Sequence, residues 1–97
     1  MLFRTATFNV IPGKNAEFEA AFRWLMAEVK AKEAGGASLY QLVKSRTDPQ
    51  AYRVVIVFRD QAAEDAHRAS DHHDGLGARM VGTLVEKAQA ETFDFVT

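Results

Sequence analysis

The stretch Asp65-Ala66-His67-Arg68-Ala69-Ser70-Asp71-His72-His73 holds every histidine in the chain. Ser70 stands between two helix-forming stretches and reads as the N-cap of the second, because a serine hydroxyl satisfies free N–H groups at a helix start. The segment is therefore a helix–helix corner. Histidine titrates near neutral pH and serves as a base, a hydrogen-bond donor or a metal ligand. The clustering of His67, His72 and His73 makes this corner the first place to look for chemistry.

The elements on either side follow from periodicity. Upstream, Asp60 caps a short helix over 61–69, and residues 52–59, with Val54, Val55, Ile56 and Val57, read as a strand. Thr47-Asp48-Pro49-Gln50 is a turn. It follows a strand over 38–46 with Tyr40 and Leu42 on one face and Leu39, Gln41 and Val43 on the other. Gly35-Gly36 stops a helix over 15–33, whose stripe is Phe18, Phe22, Leu25, Met26 and Val29. Pro12-Gly13 ends a first strand over 2–11. Leu2, Ala6, Phe8 and Val10 lie on one of its faces, and Phe3, Thr5, Thr7, Asn9 and Ile11 on the other. Downstream of Ser70 the spacing predicts a helix to about Lys87, with Leu76, Met80 and Leu84 widened by Val81 and Val85. Gly75, Gly77 and Gly82 weaken it by about 1 kcal/mol each relative to alanine. Residues 90–96 form a last strand, with Phe93 and Phe95 on one face.

Strand, helix, strand, strand, helix, strand is the split βαβ order. It predicts an α+β, ferredoxin-like βαββαβ fold with a four-stranded antiparallel sheet and helices on one face. The length of 97 residues fits one domain, 1–97, and 47% hydrophobic residues suffice for a core. A net charge of −1 gives no argument for nucleic acid or an anionic membrane. The absence of cysteine removes disulfides, thiol catalysis and iron–sulfur clusters. The start, Met1-Leu2-Phe3-Arg4-Thr5-Ala6, lacks the pattern of a signal peptide, and no stretch spans a membrane, so a cytoplasmic protein is expected.

The uncovered sheet face would carry Phe3, Ile11, Leu39, Val43, Val55 and Val57, only partly relieved by Thr5, Thr7, Gln41, Arg53 and Arg59. A monomer rarely exposes so much contiguous apolar surface, so a homodimer through this face is expected. Trp24 points away from the Phe18–Val29 stripe. Its readings, in order, are local packing, a dimer anchor and a pocket wall. The histidines lack any metal-ligand spacing such as HExxH. His67 and His72 lie on opposite sides of a helix break, and His72 and His73 tend to diverge. His73 and one other are expected to face solvent, with His67 or His72 lining a pocket as base or hydrogen-bond partner. There is no P-loop, GxGxxG, nucleophile elbow or paired-carboxylate motif. Tyr40 and Tyr52 are the only phenols.

From end to end the chain resembles the antibiotic biosynthesis monooxygenase family of dimeric α+β barrels. The resemblance is carried by Asn9-Val10-Ile11-Pro12-Gly13-Lys14, by Thr47-Asp48-Pro49, and by Ala66, His67, Ser70 and His72, which match the family pattern A-H-x-x-S-x-H-F. It implies a homodimer with a hydrophobic pocket in each protomer. It also implies oxygenation of quinol- or anthrone-type aromatics by O2, with no metal, flavin or other cofactor. On that footing His67, His72 and Tyr40 are the candidate catalytic groups, and Trp24 and Phe58 the candidate apolar walls for a small aromatic substrate. The chain departs from the pattern in having Ile56 and Phe58 where many relatives carry Glu-x-Trp, and His73 where an aromatic residue follows the last histidine. A haem-degrading branch has Asn, Trp and His where this chain has Ala6, His67 and Gly77, which argues against haem. Two alternatives stay open: a non-catalytic small-molecule-binding or regulatory module of the same fold, and a metal-dependent activity at the histidines.

Overall fold

The computed structural model describes Met1–Thr97. Strand β1 (Leu2–Asn9) is followed by helix α1 (Asn15–Lys32), strands β2 (Ala37–Lys44) and β3 (Ala51–Phe58), helices α2 (Gln61–Arg68) and α3 (Asp71–Arg79), and strand β4 (Gln89–Asp94). The four strands form one sheet in the order β2-β3-β1-β4, with every neighbouring pair antiparallel. This is the ferredoxin-like arrangement expected from the order of elements.

The core lies between the sheet and the helices. Alternation along β1 and β3 sends Ala6, Phe8, Tyr52, Val54, Ile56 and Phe58 inward, and the stripe Phe18, Ala21, Phe22, Leu25 and Val29 of α1 packs on them. Phe8, Phe18, Phe22 and Tyr52 form one aromatic cluster, with ring centroids 4.7–5.3 Å apart. Pairing of Asn9 with Ala51 and of Leu2 with Phe58 fixes the register of the two central strands. A slip of one residue would turn the whole apolar set outward. The turn before α1 uses Gly13 at φ +89°, and the turn after it uses Gly35 at φ +78°, a backbone region that glycine enters without strain.

One expected element is shorter than its periodicity suggests. α3 ends at Arg79 rather than near Lys87, and Val81 and Val85 are exposed. Gly82 takes φ +80°, and the chain beyond it runs beside the end of β1. Ile11 N–H donates to the Thr83 carbonyl, Val85 N–H donates to the Asn9 carbonyl, and Val10 bridges to Leu84. Backbone pairing with the first strand therefore replaces the last two helical turns. β4 likewise ends at Asp94, before Phe95.

The outer sheet face matches the expected parity. Phe3 stands opposite Val57 and Phe93, Leu39 opposite Val57, and Val43 opposite Arg53. Leu39, Val43 and Phe93 are each about 40–45% exposed. Ile11 lies past the end of β1 and is not part of this face. No helix is long and apolar enough to cross a membrane.

Candidate functional site

The Ser70 hydroxyl builds the corner. It donates to the His67 carbonyl at the end of α2 (2.6 Å) and accepts from His73 N–H at the start of α3 (3.2 Å). One side chain thus closes one helix and opens the next. The tight link brings His67 of α2 and His72 of α3 together, with ring centroids 5.8 Å apart. Asp60 performs the usual capping at the start of α2, accepting from Ala63 N–H at 2.9 Å.

Both histidines converge on a residue that the sequence reading did not select. Glu33 is the C-cap of α1, and its Oε2 accepts from His67 Nδ1 (2.7 Å) and from His72 Nε2. His67 and His72 are buried, and the Glu33 side chain is nearly so. With the carboxylate ionised, each imidazole turns an N–H toward it. His67 Nε2 is then the accepting nitrogen, and the Tyr40 hydroxyl donates to it at 3.1 Å. Burial pushes the Tyr40 phenol well above the usual tyrosine pKa, with the Glu33 charge adding to the effect, so the hydroxyl stays protonated at neutral pH. The sequence did hold a signal for Glu33. A carboxylate at a helix C-terminus opposes the helix dipole and calls for another reason to be there.

Tyr40 and Glu33 also line a cleft of about 570 Å³ between the C-terminal half of α1 and β2. Its other walls are mainly apolar, among them Met26, Val29 and Ala37. The remaining candidates fall elsewhere. Phe58 is in the core, its ring 5.6 Å from the His67 ring, and does not line the cleft. Trp24 does not line it either. The indole packs against Gly75, with the Arg79 guanidinium 4.0 Å from its ring centre, and it shares a separate groove of about 330 Å³ with His72. Local packing, the first of its three readings, fits this placement. His73 is half-buried rather than solvent-facing, its ring 5.2 Å from that of His67. Burial pushes its pKa down, and the neighbouring His67 adds to that. The expectation that two histidines face solvent therefore fails, because the Ser70 corner folds His72 and His73 each against His67.

A tyrosine hydrogen-bonded to a histidine that is held by a carboxylate has the same order of groups as a serine triad. In such triads the carboxylate fixes the tautomer of the histidine and stabilises its imidazolium form.

Comparisons with known proteins agree with this fold. The sequence profile of the antibiotic biosynthesis monooxygenase family matches residues 1–77, which include His67 and His72. A crystal structure from Caulobacter crescentus assigned to that family is 35% identical, with a TM-score of 0.90 over 99% of this chain and 90% of that one. A protein from Shewanella oneidensis is 29% identical, with a TM-score of 0.81 over 95% and 87% of the two chains. A conserved protein from Methanosarcina mazei, 21% identical with a TM-score of 0.86 over 95% and 89%, shares the fold. No curated protein matches the sequence at a significant level. The βαββαβ sheet, the helix corner at Ser70 and the profile match together make this chain a member of the antibiotic biosynthesis monooxygenase family.

Proposed function

We propose that the protein is a cofactor-independent monooxygenase that oxidises a small aromatic quinol or anthrone with O2. The observation that carries this reading is the Tyr40 hydroxyl. Tyr40 lines a mostly apolar cleft, and its hydroxyl is joined through His67 to the Glu33 carboxylate. An aromatic ring fits the apolar walls, and its acidic hydroxyl or activated CH meets Tyr40. As the substrate proton passes to the Tyr40 oxygen, the phenolic proton passes to His67 Nε2, and Glu33 stabilises the imidazolium. His72 holds Glu33 in place from the other side. The resulting carbanion or phenolate is electron-rich enough to reduce O2 by itself. For an anthrone the ring CH2 becomes C=O, one oxygen atom enters the product and the other leaves as water. The site supplies binding, deprotonation and exclusion of water. Phe58 backs the His67 ring, and Trp24 fixes α3.

The functional unit in this reading is a cytoplasmic homodimer packed through the outer sheet face. The exposed Leu39, Val43 and Phe93 support that surface. Sedimentation at micromolar concentration should show a dimer, and a monomer alone would remove this part.

The test of the activity is oxygen uptake with a panel of quinols and anthrones. Uptake should appear with at least one compound and fall by about 100-fold or more in Tyr40→Phe and in the His67→Ala/His72→Ala double variant. Unchanged uptake in the double variant overturns the residue assignment. Tight binding of the same compounds without uptake turns the reading into that of a binding module.

A further inference from the structure

We infer that Glu33, His67 and His72 also form a binding site for one divalent ion of the zinc–cobalt class. The ion competes with the protons that the same three side chains share. The inference uses the residues of the proposed relay but stands whether or not the protein oxidises a quinol.

Three observations carry it. Glu33 Oε2, His67 Nδ1 and His72 Nε2 all lie within 4.8 Å of one another. They are one carboxylate oxygen and two imidazole nitrogens from three different elements, a donor set suited to zinc, cobalt or ferrous iron. The second observation is charge. Two neutral imidazoles and a carboxylate sum to −1, and Glu33 has no lysine or arginine partner, only the two histidines. A nearly buried carboxylate without a fixed cation is costly, and a bound cation removes that cost. The third is the hydrogen bond that His67 Nε2 accepts from the Tyr40 hydroxyl, which orients the ring through the nitrogen that does not face the cluster.

Binding requires two changes. Each neutral imidazole moves the proton it directs at Glu33 to its other ring nitrogen, His67 from Nδ1 to Nε2 and His72 from Nε2 to Nδ1, so both ligating nitrogens are freed with no net proton release. His67 then carries its one proton on Nε2 and donates it to the Tyr40 oxygen, reversing that hydrogen bond. The ligand atoms must also spread, because bonds of about 2.0–2.2 Å hold tetrahedral ligand atoms roughly 3.3 Å apart. Glu33 is the ligand able to recede. It lies beyond the last turn of α1 in non-helical backbone and is followed by Ala34-Gly35-Gly36. The metal-bound form therefore has no accepting nitrogen for the Tyr40 proton, and the ion acts as a reversible inhibitor of the relay.

The experiment is a titration of tag-free, metal-stripped protein with CoCl2, followed by its visible ligand-field absorption, and with ZnCl2 by calorimetry in two buffers of different ionisation enthalpy. The expected result is one ion per chain, equal binding heats in the two buffers because neutral imidazoles release no net proton, and a tetrahedral or five-coordinate cobalt spectrum. Glu33→Gln, which keeps the shape of the side chain, and His72→Ala should each weaken binding by at least about 10-fold, while His73→Ala should not. Thermal melts of the variants identify any that fail to fold, and Glu33→Gln serves if His72→Ala does. Absence of saturable binding up to millimolar ion, or binding that survives both Glu33→Gln and His72→Ala, overturns the inference. Oxygen uptake without metal binding removes only this inference, and metal binding without uptake removes only the oxygenase reading.

Discussion

Glu33 and Glu64 are two carboxylates drawn toward the interior beside α2, and they meet opposite surroundings. A single row of the sheet, Thr92, Arg4, Ile56 and Tyr40, runs beneath both. At one end Thr92 accepts from Arg4 at 3.0 Å and donates to Glu64 at 2.5 Å, Gln61 donates to Glu64 at 2.8 Å, and the Arg4 guanidinium lies 3.8 Å away. Burial pushes the Glu64 carboxyl up. The hydrogen bonds from Thr92 and Gln61 and the charge of Arg4 outweigh it, and the group titrates below the usual glutamate value. This network is closed and neutral. At the other end Glu33 has only titratable partners, and its network opens through Tyr40 into a cleft. Buried Ile56 separates the two. The difference separates a carboxylate that fixes structure from one that can exchange a proton, because only the second has neighbours whose charge can change.

The sharpest break between the two would come from replacing each carboxylate by its amide. Glu33→Gln should lower oxygen uptake by about 10²- to 10⁴-fold, the range of a lost proton-transfer group, with a small change in Tm. Uptake at the wild-type rate would show that Glu33 plays no part. Glu64→Gln should do the reverse. It leaves Arg4 without its buried counter-charge, and the expected loss is about 3 kcal/mol, or a fall of roughly 10–20 °C in Tm, with uptake per folded molecule preserved. The sign of the pH dependence follows from the depressed pKa of Glu64. Its charged form is favoured in the folded state, so its contribution is present above the ordinary glutamate range near pH 4.5 and is lost as the pH falls through the lower folded value. The Tm gap between wild type and Glu64→Gln should therefore close in acid. A gap that widens would mean that Glu64 is not held as a carboxylate.

Local patterns in the sequence carry the frame around this contrast but neither carboxylate. Two-residue alternation showed which faces of β1, β2 and β3 are apolar, and the Phe18–Val29 stripe placed α1. Both are local properties that burial enforces. Ser70 was legible as a cap for the same reason. Glu33 is marked only as a carboxylate at the wrong end of a helix; its partners His67 and His72 lie 34 and 39 residues away, a separation at which no periodicity operates. Arg4 was also hidden, since a long cation in an apolar strand gives no sign of its partner. The end of α3 is masked in the sequence because Leu76, Met80 and Leu84 keep helical spacing past Arg79. The chain from Thr83 to Val85 nevertheless gains more by pairing with Asn9 and Ile11.

Gly75 tests whether the position of α3 matters to the Glu33 side of the comparison. A Cβ at residue 75 would lie 2.7 Å from Cη2 of Trp24, whose ring is stacked by Arg79. Alanine normally gains about 1 kcal/mol over glycine inside a helix, and overpacking costs about 1–3 kcal/mol, so Gly75→Ala should lose about 1 kcal/mol net in denaturant unfolding. It should also lower uptake, because α3 carries His72 against Glu33. A loss of stability with unchanged uptake would mean that the His72 end of the network tolerates displacement.

Gly77, two residues on in the same helix, supplies the control. Nothing lies within 4 Å of a Cβ built there, and its φ is not positive. Gly77→Ala should raise stability by about 0.5–1 kcal/mol through a less flexible unfolded chain, with uptake and cobalt affinity unchanged. The two substitutions add the same methyl group to one helix, so opposite signs in their unfolding midpoints would assign the Gly75 effect to Trp24 alone. If Gly77→Ala also destabilised the protein, α3 itself would be the sensitive element, and the contact between Gly75 and Trp24 would lose its role in holding His72.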